Sequence, residues 1–179
     1  RFREFWHGSL RPGDAGAATG AKPFIQVCLA KIPKHIPRSR IRFRIDSGFF
    51  SRRVVEFLDE NSYGFVIVAV ERKTIKAKMQ NCRFTKMANG WQVGEFRHRP
   101  TTWGKSKEHR FVVVRRPIPE DPVEAGQLKL FKDTKYAYHV FITNLEISAW
   151  RVYLFYSPRA QIERHIRELA YDYPLAKVP

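Results

Sequence analysis

The sequence predicts an α/β domain, a mixed sheet flanked by helices and interrupted by a basic, β-rich insertion. Three stretches carry that expectation. Residues 40–46 alternate strictly, placing Ile41, Phe43 and Ile45 on one face and Arg42, Arg44 and Asp46 on the other. Residues 65–70 form a short β-branched run without a polar residue, as a central strand covered on both faces does. Between them Ser51 can cap a helix over residues 52–60, whose apolar stripe is Val54, Val55, Phe57 and Leu58. Residues 40–70 therefore read as a βαβ unit.

The remaining elements follow from local pattern. Residues 2–11 suit a strand closed by the turn Arg11-Pro-Gly-Asp14, and residues 17–31 suit a helix carrying Phe24, Val27 and Cys28, ended by Pro33 and Pro37. From residue 71 to 116 the chain holds 13 Lys or Arg against three Glu and alternates like strands, with no helical stripe. Within it, residues 82–87 and 91–96 flank Ala88-Asn-Gly90, a hairpin signal, and residues 109–116 predict a further strand. A Pro-rich loop at 117–122 leads to a strand over 136–144. Ser157 and Pro158 then mark the start of a helix to about Tyr171, with Ile162, Ile166 and Leu169 buried and Arg159, Glu163, Arg167 and Ala170 sharing another face. The expected division is residues 1–70 as the first part of the core, 71–135 as the insertion, and 136–179 as the final strand and its helix.

Asp46 stands at the carboxyl end of an alternating strand. The polar face of that strand must be open or line a cleft, and ligands of open α/β sheets bind beyond the carboxyl ends of strands. Composition suggests which ligand. The 179 residues are 44% hydrophobic and carry 33 Lys or Arg against 17 acids, a formal charge of +16. Such a field attracts polyanions. An anionic membrane would call for a basic amphipathic helix, whereas much of this charge lies in strand-like, aromatic-rich segments; nucleic acid is the expected partner. Cys28 and Cys82 fit neither a disulfide framework nor a zinc pattern and read as free thiols in a reducing compartment. No apolar run approaches the roughly 20 residues that span a bilayer, and residues 1–7 do not form a signal peptide. The abrupt first and last residues suggest a fragment.

Two segments far apart in sequence carry a family resemblance. Arg44-Ile-Asp46-Ser-Gly-Phe49 resembles the segment holding the second catalytic Asp of bacterial insertion-sequence transposases of the DDE type, in the branch whose ribonuclease-H-like core is interrupted by β-strands. Tyr156-Ser-Pro-Arg159-Ala-Gln-Ile-Glu163 is similar to their third-acid signature, in which Tyr, Arg, Glu and Lys follow at spacings of three, four and seven. Leu10-Arg-Pro-Gly13 resembles a turn before their helix, and Phe141-Ile-Thr-Asn-Leu145 the strand that re-enters the core. Ala170 replaces the signature Lys, which in the family approaches a phosphate; this chain either uses Arg167 for that contact or has lost it. The first catalytic Asp of the family lies on a strand upstream of this chain, and Asp14, in the turn after a later strand, is no substitute.

The resemblance implies DNA cleavage and strand transfer at transposon ends, in a cytoplasmic, nucleoid-associated bacterial protein. It also implies a fragment inactive alone for want of the first Asp. The chemistry requires activation of an oxygen nucleophile and stabilisation of the leaving oxygen, which two Mg²⁺ or Mn²⁺ ions roughly 3.5 to 4 Å apart supply together. Asp46 would bridge them and Glu163 would bind one, while Tyr156, Arg159, Arg167 and Arg44 would contact DNA. The ordinary alternatives remain open. Asp46 can pair with Arg42 or Arg44, and Glu163 with Arg159 or Arg167 as an i, i+4 ion pair of about 0.2–0.5 kcal/mol.

Trp91 and Trp103 can stack on unpaired bases or pack the insertion's own core. Lys34, His35, Arg38, Arg40, Arg42, Arg44, Arg52 and Arg53 can track a DNA backbone or form a solvated basic face. His98 and His139 lack metal-ligand spacing. A non-catalytic DNA-binding remnant and another ribonuclease-H-like nuclease stand as the other readings, and exposed sheet edges predict self-association.

Overall fold

A computed structural model describes residues 7–8, 16, 18–118 and 136–159. Within these, six strands form one mixed sheet in the order β1-β2-β6-β5-β4-β3. The strands are β1 (Arg42–Ile45), β2 (Gly64–Val68), β3 (Thr85–Lys86), β4 (Gln92–His98), β5 (His109–Pro117) and β6 (Tyr136–Thr143). β1 and β2 run parallel and every other pairing is antiparallel. The helices are α1 (Ala21–Ala30), α2 (Arg52–Glu60), α3 (Lys73–Gln80) and α4 (Ala149–Tyr156). This is the expected α/β architecture. The strands of the basic segment form no sheet of their own: β5 pairs with β6 along eight residues and continues the sheet that β1 and β2 begin.

The period-2 pattern decides which side each helix covers. Phe43, Phe65, Ile67, Phe111, Val113, Val140 and Ile142 point to one face, where they pack with Ile25 of α1, Val54, Val55 and Leu58 of α2, and Ile75 and Met79 of α3. Val66, Val112, Val114 and Phe141 point to the other, against Val152 of α4. β2 is covered on both sides, which explains its apolar run, whereas Arg42 and Arg44 of β1 are exposed and Phe43 and Ile45 half-buried. Ser51 caps α2 as expected, its side chain accepting from the Val54 amide.

Two helices depart from expectation. The helix α3 lies within the segment expected to hold no helical stripe. Its buried side is only Ile75 and Met79, an i, i+4 pair 0% and 4% exposed, set among Lys, Ala and Gln that favour helix without marking a face. The helix expected from Ser157 to about Tyr171 lies, beyond Arg159, outside the described residues; an unexpected helix, α4, capped by Ser148, precedes Ser157 and runs into a 3₁₀ turn over Ser157–Arg159. Ser157 serves the end of a helix, its hydroxyl donating to the Tyr153 carbonyl at 2.8 Å. Aromatic and β-branched residues make α4 read like a strand, and packing of Val152, Tyr153 and Tyr156 against the sheet outweighs that weak preference. The expected hairpin forms with a shorter first strand, turning through Ala88–Gly90 with Gly90 at φ 75°. Of the predicted strand over 2–11 only residues 7–8 are described, and these are not in a strand; Asp14 and the Glu163, Arg167 and Ala170 positions lie outside the described residues.

The Thr-Asn pair after β6 locks the parallel and antiparallel halves together. Thr143 Oγ1 donates to the Phe65 carbonyl at 2.6 Å. Asn144 Oδ1 accepts from the Phe65 amide at 2.9 Å, and its Nδ2 donates to the Tyr63 carbonyl at 2.9 Å and to Asp59 Oδ1 at 3.0 Å. Asn144→Ala strips partners from two backbone groups and a carboxylate. It should cost about 1–3 kcal/mol for each group left buried without a partner, checked by urea unfolding.

Candidate active site

Asp46 ends β1 and opens a 3₁₀ turn, Ser47–Phe49, with extended backbone at φ −73°, ψ 163°. Its Oδ1 accepts from the Ser47 amide and, at 3.2 Å, from the Ser47 hydroxyl. The Asp-Ser pair therefore fixes the direction of a half-buried carboxylate at the carboxyl end of a strand. The outer edge of β1 has no strand partner among the described residues.

The second motif comes to the same edge. α4 brings Phe155 under Arg44, whose guanidinium carbon lies 5.1 Å from the ring centroid. Tyr156 follows, its ring tilted at 50° to Phe141 with 4.9 Å between centroids, on the α4 side of the sheet. Arg159 closes the 3₁₀ turn after it. Arg44, two residues before Asp46, and Phe155, the residue before Tyr156, are thus brought together across more than a hundred residues of sequence. Phe155 was not singled out by sequence; its only signal was aromatic character beside the Tyr156 motif.

The tryptophans part ways. Trp103 is 3% exposed and packs in the main core, 5.2 Å from Phe50 and 5.6 Å from His109. It presents no ring to a base, so the stacking expectation for it is corrected: the core claims it. Trp91 is half-buried, 5.0 Å from Tyr153 and 6.1 Å from Trp150, with Arg116 5.5 Å from its centroid. Lys34, His35, Arg38, Arg40, Arg42, Arg44, Arg52 and Arg53 are all exposed. Arg52 also pairs with Glu56 at 2.7 Å.

A Ser, a His and an Asp meet elsewhere. Ser106 Oγ lies 3.3 Å from His109 Nε2, and His109 Nδ1 lies 3.5 Å from Asp59 Oδ2, which Lys107 Nζ approaches at 3.2 Å. These are the residue types of a nucleophilic triad. At 5% and 4% exposure, however, Ser106 and His109 leave a substrate no approach. The Asp59 contacts are Coulombic, since no hydrogen bond is aligned on its buried Oδ2. Burial holds His109 below its ordinary value, with the Asp59 carboxylate opposing and Lys107 reinforcing. His98 and His139 shift the same way, burial first. Folded chains then bind fewer protons than unfolded ones below the unfolded value of about 6.5. Stability is full above that value and declines as the pH falls through it towards the folded values. The melting temperature should drop between about pH 7.5 and about pH 5.5, and His109→Gln should flatten the slope. Cys28 and Cys82 are free, and burial raises both thiols, which makes them poor nucleophiles.

Among the described residues no three His, Cys, Asp or Glu side chains are grouped to hold a metal ion. No helix among them is long and apolar enough to cross a membrane. The oriented Asp46 carboxylate suits a hard cation as one ligand of several.

A mixed sheet flanked by helices, with an acid at the carboxyl end of a parallel strand and α4 packed against that strand through Phe155 and Arg44, fits a ribonuclease-H-like α/β domain. A family model described as transposase DDE domain, group 1, matches residues 2–179, and the chain belongs to that family. No curated protein matches it.

Proposed function

We propose that this domain cuts and joins DNA at transposon ends, with Asp46 and Glu163 as two of its catalytic acids. The observation that carries the reading is the Arg44–Phe155 contact. It draws the strand that ends in Asp46 and the segment that leads to Glu163 to one edge of the sheet. Bound divalent ions, Mg²⁺ or Mn²⁺, would supply activation of the attacking oxygen and stabilisation of the leaving one. Asp46, oriented by Ser47, would serve as one ligand and Glu163 as another.

The residues around these acids have DNA-binding roles in this reading. The exposed arginines of residues 38–53 engage phosphates in a salt-dependent way, and Arg44 stands two residues before Asp46 on the same strand face. Tyr156, Arg159 and Arg167 position the strand end, with Arg167 replacing the contact that Ala170 cannot make. Trp91, half-buried beneath Arg116, keeps its stacking role. Residues 71–135 act as a basic insertion within the core, and two copies associate on the DNA ends.

Crystals soaked in Mn²⁺ test the site through anomalous scattering. An ion on both the Asp46 and Glu163 carboxylates supports it. Carboxylates facing different parts of the fold would refute it and leave a DNA-binding domain without metal chemistry.

A further inference from the structure

One arginine ties the sheet to the start of α4. Arg110 lies on β5 opposite Arg97 of β4 and Thr143 of β6, on the α4 side of the sheet. Its Nη1 donates to the Leu145 carbonyl and to the Ile147 carbonyl, each at 2.8 Å. Its Nε donates to Glu95 Oε2 at 3.0 Å, and Nη2 reaches the same oxygen. Glu95 faces Val112, two residues along from Arg110, so the pair is a diagonal cross-strand contact. One planar fork thus holds three acceptors on β4 and on the segment between β6 and the Ser148 cap. A lysine, with a single charged nitrogen, does not match that geometry.

The consequence lies at the other end of the helix. α4 has eight residues, about 12 Å at 1.5 Å per residue, so a tilt of about 10° at its start displaces its end by roughly 2 Å. That end carries Phe155 under Arg44, on the strand that ends in Asp46, and leads into Tyr156 and the 3₁₀ turn. Displacements of this size matter to reacting groups, for which about 1 Å is already costly.

We propose that Arg110, held by Glu95, is a positioning residue of the active site: by fixing the chain that enters α4 it sets where Phe155 and the Tyr156 turn stand relative to the strand that ends in Asp46. The proposal rests on the transposase reading of Asp46 and Glu163, and its test separates the two. Mn²⁺ affinity is measured for the unaltered protein, Glu163→Gln and Arg110→Lys. The Arg44 side-chain proton shifts, which sense the Phe155 ring, are recorded by NMR without metal.

Arg110→Lys should move the Arg44 shifts and weaken Mn²⁺ binding about tenfold, the scale of a lost supporting contact. Glu163→Gln should weaken Mn²⁺ binding at least as much and leave the Arg44 shifts in place. Unchanged Mn²⁺ affinity in Glu163→Gln overturns the site reading, and the positioning role with it. Weakened binding in Glu163→Gln beside unaltered affinity or unaltered Arg44 shifts in Arg110→Lys overturns the positioning role alone. If Arg110→Lys does not fold, Glu95→Gln, which loosens the fork while leaving both carbonyls paired, decides by the same two readouts.

Discussion

On the proposed reading, and in a protein that also carries the family's first catalytic Asp, Asp46→Asn is expected to abolish metal-dependent DNA cleavage while leaving metal-free DNA binding intact. The substitution keeps the size of the side chain and an oxygen that can accept from Ser47, so the 3₁₀ turn after β1 should persist. What it removes is the negative charge that makes the group a strong ligand for a hard cation. Changes in groups that merely support a ligand cost about 10–100-fold, and loss of a ligand itself should exceed that range. The measurements are strand cleavage with Mg²⁺ and with Mn²⁺ on a DNA end, and binding of the same DNA in a chelator. Retained cleavage would remove Asp46 from the chemistry. Lost DNA binding would mean that the substitution had disturbed the edge of the sheet.

The part of the fold that sequence made legible is the part where one force dominates. The alternation of residues 40–46, the bare apolar run of β2 and the stripe of α2 each record a fixed relation to a single covered face, and the structure reproduces all three. α3 was obscured because two apolar side chains sufficed to seat it, and the cations around them resembled a strand's exposed face. α4 was obscured for the opposite reason. Its aromatic residues favour a strand, and the sheet beneath them makes it a helix.

At the site, motif spacing pointed to Asp46 and to the Tyr156 segment, but no spacing could reveal what brings them together. The structure shows Phe155 against Arg44 and Arg110 on two backbone carbonyls ahead of α4, and carbonyls leave no trace in the residue types. Trp103 shows the converse failure. A tryptophan in a run of cations suggested base stacking, yet its indole fills the space between Phe50 and His109.

Phe111→Ala should be the most destabilising single truncation in the sheet. Phe111 is fully buried on β5 and lies flat against its cross-strand partner Phe96, 5.3 Å between centroids and 2° between planes, with Phe50 edge-on at 6.5 Å and His98 at 5.9 Å. These neighbours come from β4 and from the turn that follows Asp46, so the ring joins the basic segment to the site. Its removal leaves a cavity bounded by rigid rings on paired strands, which have little freedom to collapse inwards. The expected loss is about 3–5 kcal/mol, the range for a buried Phe truncated to Ala. For a domain of this size that corresponds to roughly 10 °C in melting temperature, read by calorimetry. Phe111→Leu refills most of the volume without the ring contacts and should recover much of the loss. A loss below about 1 kcal/mol for Phe111→Ala would mean that Phe50 and Phe96 close over the gap. The turn carrying Asp46 would then be less firmly anchored to the sheet than this packing indicates.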